Sequence, residues 1–356
     1  MKIVVLAENY PHPMHPETQA YIHSRSVYYR EKGLQVEVIS FRAKEPYTID
    51  EIRVFPPSHI VSIDSVDLCI SHAPNLRNHV RYLRANLTKI RKLLFVFHGY
   101  EGLHTKHRSI APSIRQKKLF ARYFLNYAYD YFKLPILRYS IAAFKKKLPV
   151  YSFIVSESLL SDMKRDLRIT EAELAPFFII NNPINPAFNS STYSYSGPDD
   201  IVCIRNLDDR KYGADLFVEV ARRNPQRNFH LYGKGHTFDN VVLPSNLKII
   251  KRYFLASAMI ELLKKYRAAI LFTRWDSQGI LACEFAALGI PLLASDLPIC
   301  REMLSAYSNV GFVPNDLSFD LENELSKLSP ANKKVVRYTY EETTAVEVEK
   351  INEILS

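Results

Sequence analysis

No Gly-x-Gly-x-x-Gly run follows the first strand-like segment, which argues against NAD or FAD in the first half of the chain. The four cysteines, Cys69, Cys203, Cys283 and Cys300, stand far apart in apolar contexts without metal-ligand spacing. That distribution favours buried thiols in a reducing compartment over a disulfide framework. No uninterrupted apolar run approaches the ~20 residues that a membrane-spanning helix needs. Met1 leads directly into Lys2-Ile-Val-Val-Leu-Ala7, too short for a signal peptide with its cleavage site. A cytoplasmic protein is expected.

A chain of 356 residues suits two domains, each able to bury its own core. With 47% hydrophobic and 24% charged residues it reads as globular. The net charge of +10 is unevenly spread. Residues 1–188 hold 27 Lys and Arg against 16 Asp and Glu, and the remainder 20 against 21, so the excess lies wholly in the first half. An anionic partner is expected there.

Strand, helix and strand follow one another from the start: Lys2–Ala7, a helix over about 17–32 that ends at Gly33, then 36–40. Further buried-strand candidates are 67–71 and 93–97, the latter running into His98. Residues 106–148 interleave basic and aromatic side chains at helical spacing, among them Arg115, Arg122, Lys133, Arg138 and Lys145-Lys146-Lys147 with Phe120, Phe124, Tyr131, Phe132 and Tyr139. Only Asp130 opposes these charges. Such a segment suits the surface of an anionic membrane. A solvated helix pair with core aromatics is the alternative; nucleic acid is disfavoured because no recognised motif accompanies the charge. A turn-rich stretch near 183–198 separates residues 1–185 from 199–335, and a closing helix over 340–355 is expected to pack back on the first domain.

The most informative stretch is 269–296. Ala269-Ile-Leu-Phe272 is a buried parallel strand by composition. Gly279 opens a helical run over 280–288, Gly289 followed by Pro291 closes it, and 291–295 resumes as strand. The free N–H groups around Gly279 and Ile280 would suit a phosphate. Asp276 and Glu284, the latter ~8 Å along the helix, could accept hydrogen bonds from hydroxyls on either side of it. An ordinary strand–loop–helix with a solvated Asp and a first-turn Glu fits the same spacing.

The register of Asp276, Gly279, Glu284, Gly289, Pro291, Ser295 and Asp296 resembles the Glu-x7-Glu signature of retaining GT-B glycosyltransferases, family 4 in particular, with Asp276 standing for the usual first Glu. Arg205-Asn-Leu-Asp-Asp-Arg-Lys211-Tyr-Gly213 resembles that family's Arg…Lys-Gly element, with Arg210 an alternative to Lys211. Phe229-His-Leu-Tyr-Gly233-Lys-Gly235 resembles its strand-Gly-x-Gly. The resemblance implies an α/β GT-B fold of two Rossmann-like domains whose parallel sheets face an interdomain cleft. It also implies retaining transfer, with no bound metal and no cofactor, of a hexose from a UDP- or GDP-linked donor to a growing, lipid-linked surface polysaccharide at the inner face of the plasma membrane. Arg205 and Lys211 would then hold the diphosphate, Asp276 and His98 would contact the donor sugar, and Glu284 would bind the ribose. Gly279, Ile280, Gln278, Gly233, Gly235 and Arg210 would complete the donor site. Two departures, Asp276 and a first loop without glycine, leave a non-catalytic subunit of the same fold as an alternative; a sugar-nucleotide epimerase is a third.

Overall fold

A computed structural model of the chain describes residues 1–12, 19–62, 64–111, 117–252, 254–331 and 333–356. Residues 13–16 of the glycine-free first loop, the expected helix start at Glu17, and Arg115 of the basic stretch lie outside these. The chain forms two compact units. The first comprises Met1–His104, Phe124–Asn182 and Tyr340–Ser356, the second Thr105–Tyr123 and Pro183–Thr339. Thr105–Tyr123 thus groups with the second unit and not with the rest of 1–185; within that unit Arg210 Nη1 donates to the Ala111 carbonyl at 3.3 Å.

The first unit is built on eight strands: β1 (Lys2–Ala7), β2 (Gln35–Ser40), β3 (Tyr47–Ile49), β4 (Ile52–Phe55), β5 (Val66–His72), β6 (Ile90–Phe97), β7 (Val150–Ile154) and β8 (Phe177–Ile179). They pair in the order β3-β4-β2-β1-β5-β6-β7-β8. Every pairing is parallel except β3 with β4, a hairpin that adds an antiparallel edge to the expected parallel sheet. Asp50 and Glu51 make its two-residue turn with φ of 44° and 60°, the left-handed pair that matches strand twist. Central strands such as β6 are apolar along most of their length because both faces are covered. The closing helix Thr344–Leu355 buries Ile351 and Ile354 beside Ile22 and Tyr29.

The second unit has six parallel strands: β9 (Ile201–Ile204), β10 (Phe229–Tyr232), β11 (Leu247–Ile250), β12 (Ala268–Leu271), β13 (Leu292–Ser295) and β14 (Val310–Val313). Their order is β11-β10-β9-β12-β13-β14. From β9 the chain winds outward to β11, then returns to β12 on the other side and winds outward again. The strand order therefore reverses between β9 and β12, and open α/β sheets bind ligands at the carboxyl ends of such a pair. Arg205 follows β9, and 272–280 follows β12.

Between Lys117 and Lys145 the chain makes one continuous helix of 29 residues, with Pro135 inside it. Its aromatics divide: Phe144 is buried, whereas Phe124, Tyr129, Tyr131, Phe132 and Tyr139 are exposed. They are therefore not core residues of a solvated pair.

Candidate active site

The site of the second unit is assembled from close backbone approaches around the ends of β9, β10 and β12. The Arg205 N–H donates to the Tyr232 carbonyl at 2.9 Å, extending the β9–β10 ladder by one residue. At Gly233 a Cβ would stand 1.8 Å from the Arg205 carbonyl oxygen, so only hydrogen fits there. Gly235 has φ of 143°, and its Cβ would meet Leu207 and Asp208 within 3 Å. These two glycines let the loop after β10 lie against 205–208. Asp208 fastens it: its Oδ1 accepts from the N–H groups of His236 (2.7 Å) and Thr237 (2.9 Å).

The 205–213 loop is equally fixed. Asn206 Oδ1 accepts from the Asp208 N–H, and Asp209 Oδ1 from the Lys211 N–H, which caps the single turn Arg210–Tyr212. Gly213 follows with φ of 63°, and a Cβ there would lie 2.5 Å from that of Phe272. The loops after β9 and β12 then lock together. The Lys211 carbonyl accepts from the Arg274 N–H at 2.6 Å and from Thr273 Oγ1 at 3.2 Å. The Arg274 guanidinium holds both Asp215 carboxylate oxygens at 2.7 and 2.9 Å. Thr273 is pinned from the other side, where its N–H donates to Ser295 Oγ and its carbonyl accepts from Asn315 Nδ2.

Two buried cations result. Arg205 is 7% exposed and Lys211 5% exposed. Both stand over the Tyr212 ring, the Arg205 guanidinium carbon 5.6 Å and Lys211 Nζ 4.5 Å from its centroid. Arg205 Nε has no hydrogen-bond partner among the described residues. A buried, unpaired donor on a charged group is costly, and an anion is the partner that would satisfy it. Arg210 is placed differently: its half-exposed side chain reaches the Ala111 carbonyl and Asp215.

A small cavity joins Arg205 to the loop after β12; Thr273, Asp276, Gln278, Gly279 and Ala282 line it. Asp276 Oδ1 accepts from the Ser277 N–H at 2.8 Å, which folds the loop that leads into the helix. Gln278 is buried. Gly279 takes φ of 72° as the residue preceding the helix Ile280–Leu288, and a Cβ would meet nothing closer than Asp276 Oδ2 at 3.7 Å. Backbone conformation, not crowding, is the demand there. The first N–H groups of the helix, beginning at Ile280, lack an intrahelical acceptor as at any helix start. Glu284, half buried further along, accepts from the Asn185 N–H at 3.2 Å. Burial pushes its carboxyl up to about 7, against that hydrogen bond.

His98 belongs to the first unit, at the end of β6. Its Nε2 is 3.0 Å from His72 Nδ1, and its ring lies 4.7 Å from that of Tyr21. Burial, followed by the nearby Arg25 charge, holds His98 well below the usual histidine range, so it is neutral at physiological pH. All four cysteines are buried and free. Among the described residues no group of three His, Cys, Asp or Glu side chains could hold a metal ion.

The second unit thus brings together Arg205, Lys211, Asp276, Gln278, Gly279 and Ile280, with Gly233 and Gly235 supporting the loop behind Arg205. Sequence reasoning missed Thr273, Arg274, Asp215 and Asn315, which fix the site without lining up in any motif. The one local signal was Arg274 beside Thr273, directly after a buried strand.

No protein-family model matches the sequence, and no curated protein matches it. Solved structures do. Sucrose-phosphate synthase from Thermosynechococcus elongatus superposes with a TM-score of 0.68 at 10% identity, over 100% of this chain and 99% of that one. A glycosyltransferase from Rickettsia africae gives 0.65 at 14% identity, over 100% and 98%. HepE from Anabaena, solved with UDP and glucose, gives 0.59 at 12% identity, over 100% and 99%. The fold of this chain is the GT-B fold of these glycosyltransferases, built on two Rossmann-like units.

Proposed function

We propose that the chain is a retaining glycosyltransferase that takes a hexose from a UDP- or GDP-linked donor. The observation that carries this reading is the buried pair Arg205 and Lys211 at the strand-order reversal, with Arg205 Nε unpartnered, beside the start of the helix Ile280–Leu288. A diphosphate placed there would meet two cations and free N–H groups, which stabilise negative charge as the sugar–phosphate bond breaks. Glu284 would accept hydrogen bonds from the ribose, and Asp276 from the donor sugar. In this scheme the acceptor hydroxyl attacks on the face from which the diphosphate departs. The acceptor is a growing, lipid-linked surface glycan, and residues 106–148 contact an anionic membrane where that acceptor resides. A HepE of the same fold was solved with UDP and glucose, which supports a nucleotide-sugar donor here.

Titration calorimetry of UDP, GDP and ADP against wild type and Arg205→Ala tests the donor site. One nucleotide should bind, and the variant should bind it about 10–100-fold more weakly, the range for losing hydrogen bonds to a charged group. If no nucleotide binds wild type, the site is misassigned. A second reading, a nucleotide-binding subunit without transfer activity, draws on Asp276, whose Oδ1 already serves its own loop. Binding without turnover on any glycan acceptor would favour it.

A further inference from the structure

The helix Lys117–Lys145 carries apolar residues on two opposite faces. Toward the core of the first unit, Leu134, Leu137, Ile141 and Phe144 are buried at alternating three- and four-residue spacing. On the other side Leu125, Phe132 and Tyr139 recur every seventh residue and are 72%, 70% and 70% exposed. Ala128, Pro135 and Ala142, all exposed, each follow one of them by three residues. Seven residues are close to two helical turns, so these six side chains form one stripe. From Leu125 to Tyr139 it runs ~21 Å at ~1.5 Å per residue. An apolar helix face is ordinarily turned toward a core or another apolar surface. This helix is covered on one side only.

Charge selects the occupant of the open side. The helix has one acidic residue, Asp130, and it is buried in an ion pair with Lys133 at 2.7 Å. Lys146 and Lys147, just past the helix end, are exposed, and residues 1–188 carry the whole positive excess of the chain. A second copy set against the stripe would bring two such positive surfaces together; an anionic lipid surface would neutralise them. No helix of the described residues is long and apolar enough to cross a membrane, and the stripe is one-sided, as for a helix lying in the interface plane.

We propose that this outer stripe lies flat on an anionic phospholipid surface. Leu125, Phe132 and Tyr139 enter the boundary between headgroups and acyl chains, and Lys146 and Lys147 meet lipid phosphates. The proposal rests on the membrane contact proposed above for 106–148 and names the face that makes it.

Sedimentation of the full-length protein with vesicles of phosphatidylcholine and phosphatidylglycerol tests it. Wild type should pellet with these vesicles at low salt, less so at high salt, and weakly with phosphatidylcholine alone. The triple variant Leu125→Ser, Phe132→Ser, Tyr139→Ser should partition at least roughly tenfold less, since each side chain loses its apolar transfer. Val242→Ser, which removes a 91% exposed apolar side chain of the second unit, should behave as wild type. Circular dichroism checks that the triple variant is folded; if it is not, the three single variants replace it and each should bind less. Absence of wild-type binding overturns both the membrane contact and the face. Undiminished binding by the triple variant overturns the face and leaves the membrane contact standing. A lipid-free dimer that the triple variant abolishes assigns the stripe to a second copy instead. Nucleotide titration is unaffected by any of these outcomes, so the donor-site reading is judged separately.

Discussion

If Glu284 binds the ribose of the donor, its affinity for the donor must follow its ionisation. The carboxyl is pushed up from an ordinary 4.5 to about 7 by burial, and only the Asn185 N–H opposes this. It is then about one-tenth ionised near pH 6 and about nine-tenths near pH 8. A carboxylate is the better acceptor for two ribose hydroxyls, so binding favours the ionised form, releases a proton and strengthens as pH rises. The change expected between those pH values is roughly tenfold, or ~1.4 kcal/mol. UDP-glucose and GDP-mannose are suitable probes because their diphosphates do not titrate in this window, unlike free UDP. Calorimetry in two buffers of different ionisation enthalpy reads both the dissociation constant and the protons released. Glu284→Gln keeps the acceptor for the Asn185 N–H and should give a dissociation constant independent of pH. Folding has its own dependence. A carboxyl whose pKa is higher folded than unfolded holds an extra proton when folded between about 4.5 and 7, so its contribution to stability falls as pH rises through that window and is level above it. Donor affinity that is flat from pH 6 to 8 in wild type, or equally steep in Glu284→Gln, would remove the carboxylate from the ribose.

Gly213→Ala should destabilise the protein by ~1–3 kcal/mol, because the backbone is left-handed and the new Cβ would lie 2.5 Å from Phe272 Cβ; a thermal midpoint equal to wild type would refute that crowding. Gly279→Ala meets no such crowding and should cost only about 1 kcal/mol for its left-handed φ, readable in the same melts. Glu347→Ala leaves the buried Arg25 charge without its carboxylate and should cost ~3–5 kcal/mol, measured by urea denaturation. A loss under about 1 kcal/mol would show that water reaches the pair.

How much of this could be read from the chain alone depended on distance. The segment 269–296 was legible because its signals are local: an apolar strand, a glycine that must be left-handed at 279, and another with φ of 98° at 289. The parallel α/β architecture was legible for the same reason, through short apolar runs alternating with helices ended by glycine. The β3–β4 hairpin escaped notice because its turn is Asp50-Glu51, not the Asn-Gly or Asp-Gly pair that marks left-handed turns. Gly213 could be seen as a helix-start glycine, but not that Phe272 presses on it, since that contact exists only once β9 and β12 are neighbours. The fork of Arg274 on Asp215 spans 59 residues and left no local trace.

Distance matters most around His98. Its neutral ring stands at the end of a buried polar chain in the first unit. Glu347 accepts from Arg25 Nε at 2.9 Å and from the Tyr29 hydroxyl, Arg25 Nη2 donates to Asn182 Oδ1 at 2.8 Å, Asn182 meets His98, and His98 meets His72. The members come from the first helix, the ends of β5 and β6, the last residue before the chain leaves the unit, and the helix that returns to it. Removing the returning helix would therefore strip a charge from Arg25 as well as apolar cover from Tyr29 and Ile22. Arg25 would be left with Asn182 and the Tyr21 carbonyl as neutral partners, in a site where the charge–dipole energy is a fraction of the charge–charge energy it replaces. The setting of His98 thus depends on residues more than 300 positions apart in sequence, and the closing helix is part of that setting as well as a cover for the sheet.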